Sequence, residues 1–440
     1  LTGLLIRGAR VIDPASGLDA LLDVRVVGGS VAELAPGLSA GAERVIEAHG
    51  CIVAPGFIDL HAHLREPGFE QKGTIATETL AALRGGFTAV CAMPNTDPAP
   101  DSAPVVESLL DRIARDAHVR VFPIGTITKR RAGLELSEIA EMAAAGVVAI
   151  SDDGNPVADA GLFRRALEYA TAAGISLSEH ADDPVLNGGG VMHEGRISER
   201  LGLKGQPAAA EITAIARNIA LAEATGGRLH IAHISTARGV ELVAEAKSRG
   251  LAVTCEVTPS HLFLTEDAVF GDGREPAYNT AAKVNPPLRT EDDRQALVRG
   301  LASGVIDAIA TDHAPHAVED KLCEFDLAAP GISCFETALG TLLLQVERGE
   351  LSLPRVVEAL TAAPAACFAL DARVPGLGRL QPGASRDLVL FDPAARWVVD
   401  TATFVSKGKN SPLQGQELRG SVRLVIVDGR VAYEHEVVHA

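Results

Sequence analysis

With 440 residues, 47% hydrophobic and 22% charged, the chain holds enough apolar material for one large domain and a smaller one, and its composition argues against disorder. Lys and Arg total 40 against 57 Asp and Glu, a formal net charge of −17, which excludes a basic nucleic-acid footprint. An anionic small-molecule ligand would therefore need locally concentrated positive charge, from metal ions or one or two arginines.

In chain order, the opening stretch LTGLLIRGARVIDPASG reaches Arg7 and Asp13 too soon for the apolar core of a secretory signal. No uninterrupted apolar run reaches the roughly 18 residues of a membrane-spanning helix, so no membrane partner is expected. Leu4–Ile46 reads as short strands broken by turns, with Gly28-Gly29 as a hairpin dipeptide. Eight short β-rich runs then alternate with polar loops and Ala/Leu-rich helical stretches: Ile52–Ile58, Phe87–Met93, Val119–Gly125, Val147–Ser151, Ile175–Glu179, Arg228–Ala232, Ala252–Val257 and Ile306–Thr311. The helical stretches include Ser102–Arg115, Gly161–Ala173, Glu211–Thr225 and Thr290–Ser303. Continuous Val/Ile/Ala runs suit strands buried on both faces, so the pattern predicts an α/β fold, a (β/α)8 TIM-like barrel. The alternative, a doubly wound open sheet for a dinucleotide, lacks a GxGxxG after the first strand.

Three connections, Ala181–Ala209, Pro259–Arg289 and His313–Ser333, are long enough to be expected to carry function. Arg386–Glu434 returns to short strands, with Asp428-Gly429 as a second hairpin dipeptide. Neither end has enough strands for its own core, so together they are expected to form one small composite β-sandwich. Boundaries near Ala54 and Asp371 divide the chain into 1–54 and 371–440 (sandwich) and 55–370 (barrel). Cys51, Cys91, Cys255, Cys323, Cys334 and Cys367 form no CxxC pair, which points to a reducing cytoplasm rather than a disulfide framework.

In such a barrel the chemistry sits at the C-terminal ends of the strands. The polar residues there are His61, His63 and Arg65, then Asn95, Asp152 and Asp153, Glu179 and His180, His233, His261, and finally Asp312, His313 and His316. His61 and His63, two apart on a strand, face the same side and reach one metal ion. An isolated HxH is weak evidence; at the end of a buried first strand, followed by Arg65, it is much stronger. His180 and His233 each fall directly after a β run. Burying several His and Asp side chains at one mouth is costly unless metal coordination satisfies them. Asp312 reads as a metal-adjacent general base in preference to a helix cap, because a carboxylate beside an activated water can take its proton and pass it to a leaving nitrogen. One of Asp152 and Asp153 is expected to point inward as a bridge between two metals; periodicity does not choose between them. Arg65 and His316 are candidate anion binders, and Asn95 and Asn285 candidate amide contacts to a carboxylate or ring.

The segments PGFIDLHAHLREPG, GGFTAVCAMPNTDP, SDDG, SEHAD, HIAHIST, EVTPSHLFL, KVNPPLR and ATDHAPH, with SKGKNSPLQGQEL and VIVDGRVAYE near the end, resemble the long bacterial (type I) dihydroorotases of the amidohydrolase superfamily over nearly the whole chain. The resemblance implies a hydrolase that reversibly cyclises N-carbamoyl-L-aspartate to L-dihydroorotate in pyrimidine biosynthesis, with Asp312 as the catalytic acid–base. It implies one or two Zn2+ per chain: His61 and His63 with Asp312 at one, His180 and His233 at the other, and Asp153 bridging both. It assigns Arg65, Asn95, Asn285 and His316 to the substrate carboxylate and ring. It also implies a homodimer, and allows a complex with aspartate transcarbamoylase. Related hydantoinases and allantoinases use a carboxylated lysine at the bridge. SDDG holds no lysine, which speaks against that specificity, and the filled ligand positions speak against a catalytically silent partner of aspartate transcarbamoylase. One departure is Ser260 before His261, where relatives often carry two adjacent histidines.

Overall fold

A computed structural model of the chain describes residues 3–271 and 278–435; part of the long connection Pro259–Arg289 therefore lies outside the described residues. The barrel strands are Phe57–Ala62, Phe87–Ala92, Arg120–Gly125, Ala149–Ile150, Ser176–Glu179, Leu229–Ile231, Val253–Val257 and Ala308–Ile309, each hydrogen-bonded to the next in chain order. The ring closes through a parallel bridge between Ala62 and His313 and a 2.9 Å bond from the His63 N–H to the His313 carbonyl. Every residue of the first two strands is buried, which is what unbroken apolar runs between a packed interior and a ring of helices require.

One sequence run is divided. Ile52–Pro55 pairs with strands from the chain ends, and only Phe57–Ala62 belongs to the barrel. Gly56 is the joint: a Cβ there would run into the Thr88 side chain, so glycine alone lets the chain pass. The strand then continues past Ile58 to Ala62, which sets His61 within regular β-structure.

The strands of the two ends form one mixed sheet, where the sequence suggested a sandwich. Its order is Arg430–Glu434, Glu417–Val427, Leu388–Val398, Ile52–Pro55, Leu4–Asp13, Leu18–Val27 and Ser30–Ala35, with Arg44–Glu47 also on Leu4–Asp13. The two halves join where Leu388–Phe391 runs antiparallel to Ile52–Pro55. Both hairpin dipeptides are two-residue loops with positive φ throughout: 58° and 82° at Gly28-Gly29, 47° and 74° at Asp428-Gly429. The sheet has its own apolar cluster around Ile6, Val24, Val53, Leu390 and Ile426. No helix among the described residues is long and apolar enough to cross a membrane.

The connection Ala181–Ala209 is tied to the barrel by a buried polar network. Arg289 Nη1 reaches His193 Nδ1 at 3.1 Å and the Gln206 carbonyl at 3.2 Å, while its Nε donates to Ser235 Oγ at 3.0 Å. Glu211 accepts from the N–H groups of Ser235 and Thr236 on the loop that follows His233. Burial, helped by the Arg289 charge, lowers His193 to about 4. The folded protein thus keeps His193 neutral while the unfolded chain protonates it near the ordinary value of about 6.5. The unfolded state then binds more protons, so this residue's share of stability falls as the pH falls from about 6.5 to 4. His193→Gln, whose carbonyl still accepts from Arg289, is expected to flatten that part of the Tm–pH curve. Identical slopes for the two proteins would exclude His193 as the source.

Candidate active site

The first barrel strand presents Asp59, His61 and, just beyond its end, His63 on one side, as a period of two dictates. His61 Nδ1 lies 2.9 Å from Glu256 Oε1. A carboxylate only accepts, so Nδ1 donates and Nε2 is the nitrogen left to face the cluster. That Nε2 is buried without a hydrogen-bond partner, 3.4 Å from Asp153 Oδ1 and 3.6 Å from Asp312 Oδ1. His63 repeats the arrangement: Nδ1 is 2.8 Å from Asn95 Oδ1, and Nε2 is 2.9 Å from Asp312 Oδ1. His233 Nε2 lies 3.3 Å from Asp153 Oδ1 and 3.0 Å from His180 Nδ1. Among the described residues, two groups have ligand atoms close enough for a shared ion: His61, His63 and Asp312, and His61, Asp153 and His233. His180 stands beside the second group, its Nδ1 3.7 Å from Asp153.

The adjacent aspartates separate by direction. Asp152 turns away from the cluster and accepts from the N–H groups of Ile127 and Thr128 at 2.8 and 3.1 Å, and from the Thr128 hydroxyl. Asp153 alone faces the imidazoles. Burial opposes its ionisation, but the His61 charge and the imidazole hydrogen bonds outweigh it and hold Asp153 well below the usual carboxylate range. Burial likewise opposes protonation of His61, and Asp153, Glu256 and Asp312 reverse that, pushing it well above an ordinary imidazole. The carboxylates thus draw a proton onto His61, and a cation bound between them would take that proton's place.

Two strand-end residues adopt left-handed backbone, His233 with φ 31° and Asp312 with φ 48°. For non-glycine residues this costs energy and tends to persist where function needs the side-chain direction. Arg65, with φ 67°, is held by the Pro315 carbonyl at 3.1 Å, and its Nη2 lies 3.3 Å from His316 Nε2. Asn285 Nδ2 donates to His180 Nε2 at 3.2 Å, while its Oδ1 is buried without a partner. Asn285 also lines a cleft of about 530 Å³ with Arg131, Asn155, Asp182 and Asn187.

His261 does not join the imidazole cluster. Its Nδ1 faces Thr258 Oγ1 at 2.8 Å and its Nε2 the Pro286 carbonyl at 3.0 Å, so it braces the turn that carries Asn285. His313 also points away, to Glu78 at 2.8 Å. Sequence reading missed Glu256 and Asp59, which grip the His61 ring and its backbone N–H, and Arg131, whose Nη2 donates to the Asp153 carbonyl at 2.5 Å. The available signal was a carboxylate inside an otherwise apolar run, in IDL and TCEV.

A family model described as Dihydro-orotase-like matches residues 50–239. A dihydroorotase of Anaeromyxobacter dehalogenans (strain 2CP-C) is 52% identical over 432 residues, covering 98% of each chain. The chain belongs to the dihydroorotase family. A dihydroorotase of Geobacter metallireducens is 47% identical over 98% of this chain and 99% of its own. Among solved structures, the L-hydantoinase (dihydropyrimidinase) of Arthrobacter aurescens has a TM-score of 0.87 at 27% identity, covering 100% of this chain and 98% of that one. Dihydropyrimidinase from Brevibacillus agri shares the fold, with a TM-score of 0.82 at 23% identity over 98% of this chain and 94% of its own. The barrel and its end sheet are thus common ground between dihydroorotases and hydantoinases, and the sequence, not the fold, places this chain among the former. Its buried His/Asp cluster is a metal-site candidate.

Proposed function

We propose that the chain interconverts N-carbamoyl-L-aspartate and L-dihydroorotate with one or two zinc ions held by the His/Asp cluster. The observation that carries this reading is His61 Nε2, buried, unpartnered and aimed between the carboxylates of Asp153 and Asp312. Near-full-length identity to dihydroorotases supports the substrate. In this reading His61, His63 and Asp312 hold one ion, His180 and His233 the other, and Asp153 serves both. When bound, the metal supplies the Lewis acidity that polarises the reacting carbonyl and makes water at the site acidic.

The remaining work belongs to the chain. Arg65 and His316, with Asn95, hold the substrate carboxylate and fix the ring's orientation, and Asn285 meets the ring from the His180 side. In ring opening, water adds to the ring carbonyl, Asp312 takes its proton and returns it to the ring nitrogen as the C–N bond breaks. In ring closure, Asp312 takes a proton from the carbamoyl nitrogen as that nitrogen attacks the carboxylate carbon, and Asp312 gives it to the departing oxygen, which leaves as water with one further proton from solvent. Asp312 Oδ1 lies 2.9 Å from His63 Nε2, which places the two groups side by side at the cluster. The cysteines, all free, suit a reducing cytoplasm. A homodimer and a complex with aspartate transcarbamoylase belong to the same proposal, and gel filtration with and without that partner reads both.

Purified protein is expected to turn over L-dihydroorotate, to lose that activity on chelation and to regain it with zinc. Metal content of the same sample distinguishes one ion from two. A folded, metal-loaded protein that hydrolyses a hydantoin or allantoin but not dihydroorotate would overturn the reading.

A further inference from the structure

We propose that Glu256 is a positioning residue for the metal centre: its carboxylate sets the tautomer and donor strength of His61, and His230 holds that carboxylate in place. This rests on the metal reading above and extends it to residues outside the ligand set.

Both oxygens of Glu256 are engaged, Oε1 by His61 Nδ1 at 2.9 Å and Oε2 by His230 Nε2 at 3.1 Å. The carboxylate is buried, and among the described residues its ion-pair partners are these two rings. Because it can only accept, both rings donate to it. His230 Nδ1 is then the acceptor for the Thr254 hydroxyl, 2.8 Å away. The Glu256 bond thereby fixes the Nδ1 proton of His61 and leaves Nε2, between Asp153 and Asp312, as the nitrogen free to give up its proton to an ion.

The relay is built into the strand ladder. Thr254 and Glu256 are two apart on Val253–Val257 and share a side, and His230 on the neighbouring strand is in register with Thr254. The His230 ring also stands edge-on to Phe368, with centroids 5.0 Å apart. Asp59, the other carboxylate near His61, meets its backbone N–H at 3.2 Å and leaves the ring to Glu256. A buried carboxylate in an otherwise apolar strand is costly, and a hydrophobic side chain would serve packing alone. A carboxylate behind a ligating imidazole has a defined effect: it orients the ring and raises its basicity, and losing it weakens metal binding by about 10–100-fold.

The test uses the metal-free full chain. Wild type, Glu256→Gln and His230→Gln are titrated with zinc against a chromophoric chelator, and the Tm of each metal-free protein is recorded. Glutamine keeps the size and the carbonyl that accepts from His61 but lacks the charge. Zinc affinity about 10–100-fold weaker in Glu256→Gln, with little change in metal-free Tm, is the expected result; His230→Gln is expected to weaken binding less, in the same direction. Wild-type affinity in Glu256→Gln overturns the proposal, and wild-type affinity with a lowered Tm reduces the residue to a structural one. Should Glu256→Gln fail to fold, His230→Gln carries the test, weaker zinc binding supporting the proposal and wild-type affinity overturning it. A wild-type protein that takes up no zinc overturns the metal reading itself, and so is distinguishable from failure of this inference alone.

Discussion

Asp312→Asn is expected to lower kcat for L-dihydroorotate by about 10²–10⁴-fold, the usual share of a positioned general acid–base, while the protein still folds and binds substrate. Asparagine has nearly the same shape and can occupy the place beside His63 Nε2 that Asp312 Oδ1 holds at 2.9 Å. The backbone demand is also met. Asp312 sits at φ 48°, in the left-handed region that Asn tolerates better than most residues. What the amide cannot do is take a proton. In the native site burial opposes ionisation of Asp312, but the His63 hydrogen bond and the His61 charge outweigh it and keep the carboxyl below its ordinary value, hence ready to accept. Because Asp312 is also assigned to the metal, kcat, substrate dissociation constant and metal content must be measured on one preparation. Full metal content with turnover lost isolates the proton-transfer role, and wild-type turnover would end it.

The parts of this protein legible in sequence are those where a local rule survives tertiary packing. A parallel barrel buries both faces of each strand, so its strands read as unbroken apolar runs. Function gathers at one end of them, so His180, His233 and Asp312 announce themselves as polar residues directly after a run, and His61 as one close behind the first. Ile52–Ile58 misleads because both of its halves are buried β-structure, in different sheets; only the crowding of Gly56 against Thr88 reveals the break. His261 sits at the right place in its βα unit but lies in the short helix Pro259–Phe263, which turns it back onto Thr258 and Pro286, a placement that spacing does not encode. Glu256 was hidden for the opposite reason. It lies inside a strand, where the alternation that points it at His61 is visible but its partner, 195 residues away in sequence, is not.

The pair Asp152 and Asp153 shows the limit most sharply and allows a paired test. Their strand, Ala149–Ile150, is too short for alternation to run on into the loop, so neighbouring carboxylates go to different tasks. Asp153→Asn removes the one carboxylate that faces His61, His63, His180 and His233 together. Deleting one partner of a buried charge cluster costs about 3–5 kcal/mol, so zinc affinity is expected to fall by roughly 10²–10⁴-fold, and turnover with it. Asp152→Asn is expected to do the reverse. It disturbs the bond with the Thr128 hydroxyl while keeping an acceptor for the Ile127 and Thr128 N–H groups, a loss of about 1–3 kcal/mol in folding stability with zinc affinity nearly unchanged. Chelator-competition titrations and metal-free denaturation of both variants separate the two effects. A variant pair in which Asp152→Asn loses the metal and Asp153→Asn keeps it would reverse the assignment, because it would mean that the loop after Ile150 turns the other way when the ion binds.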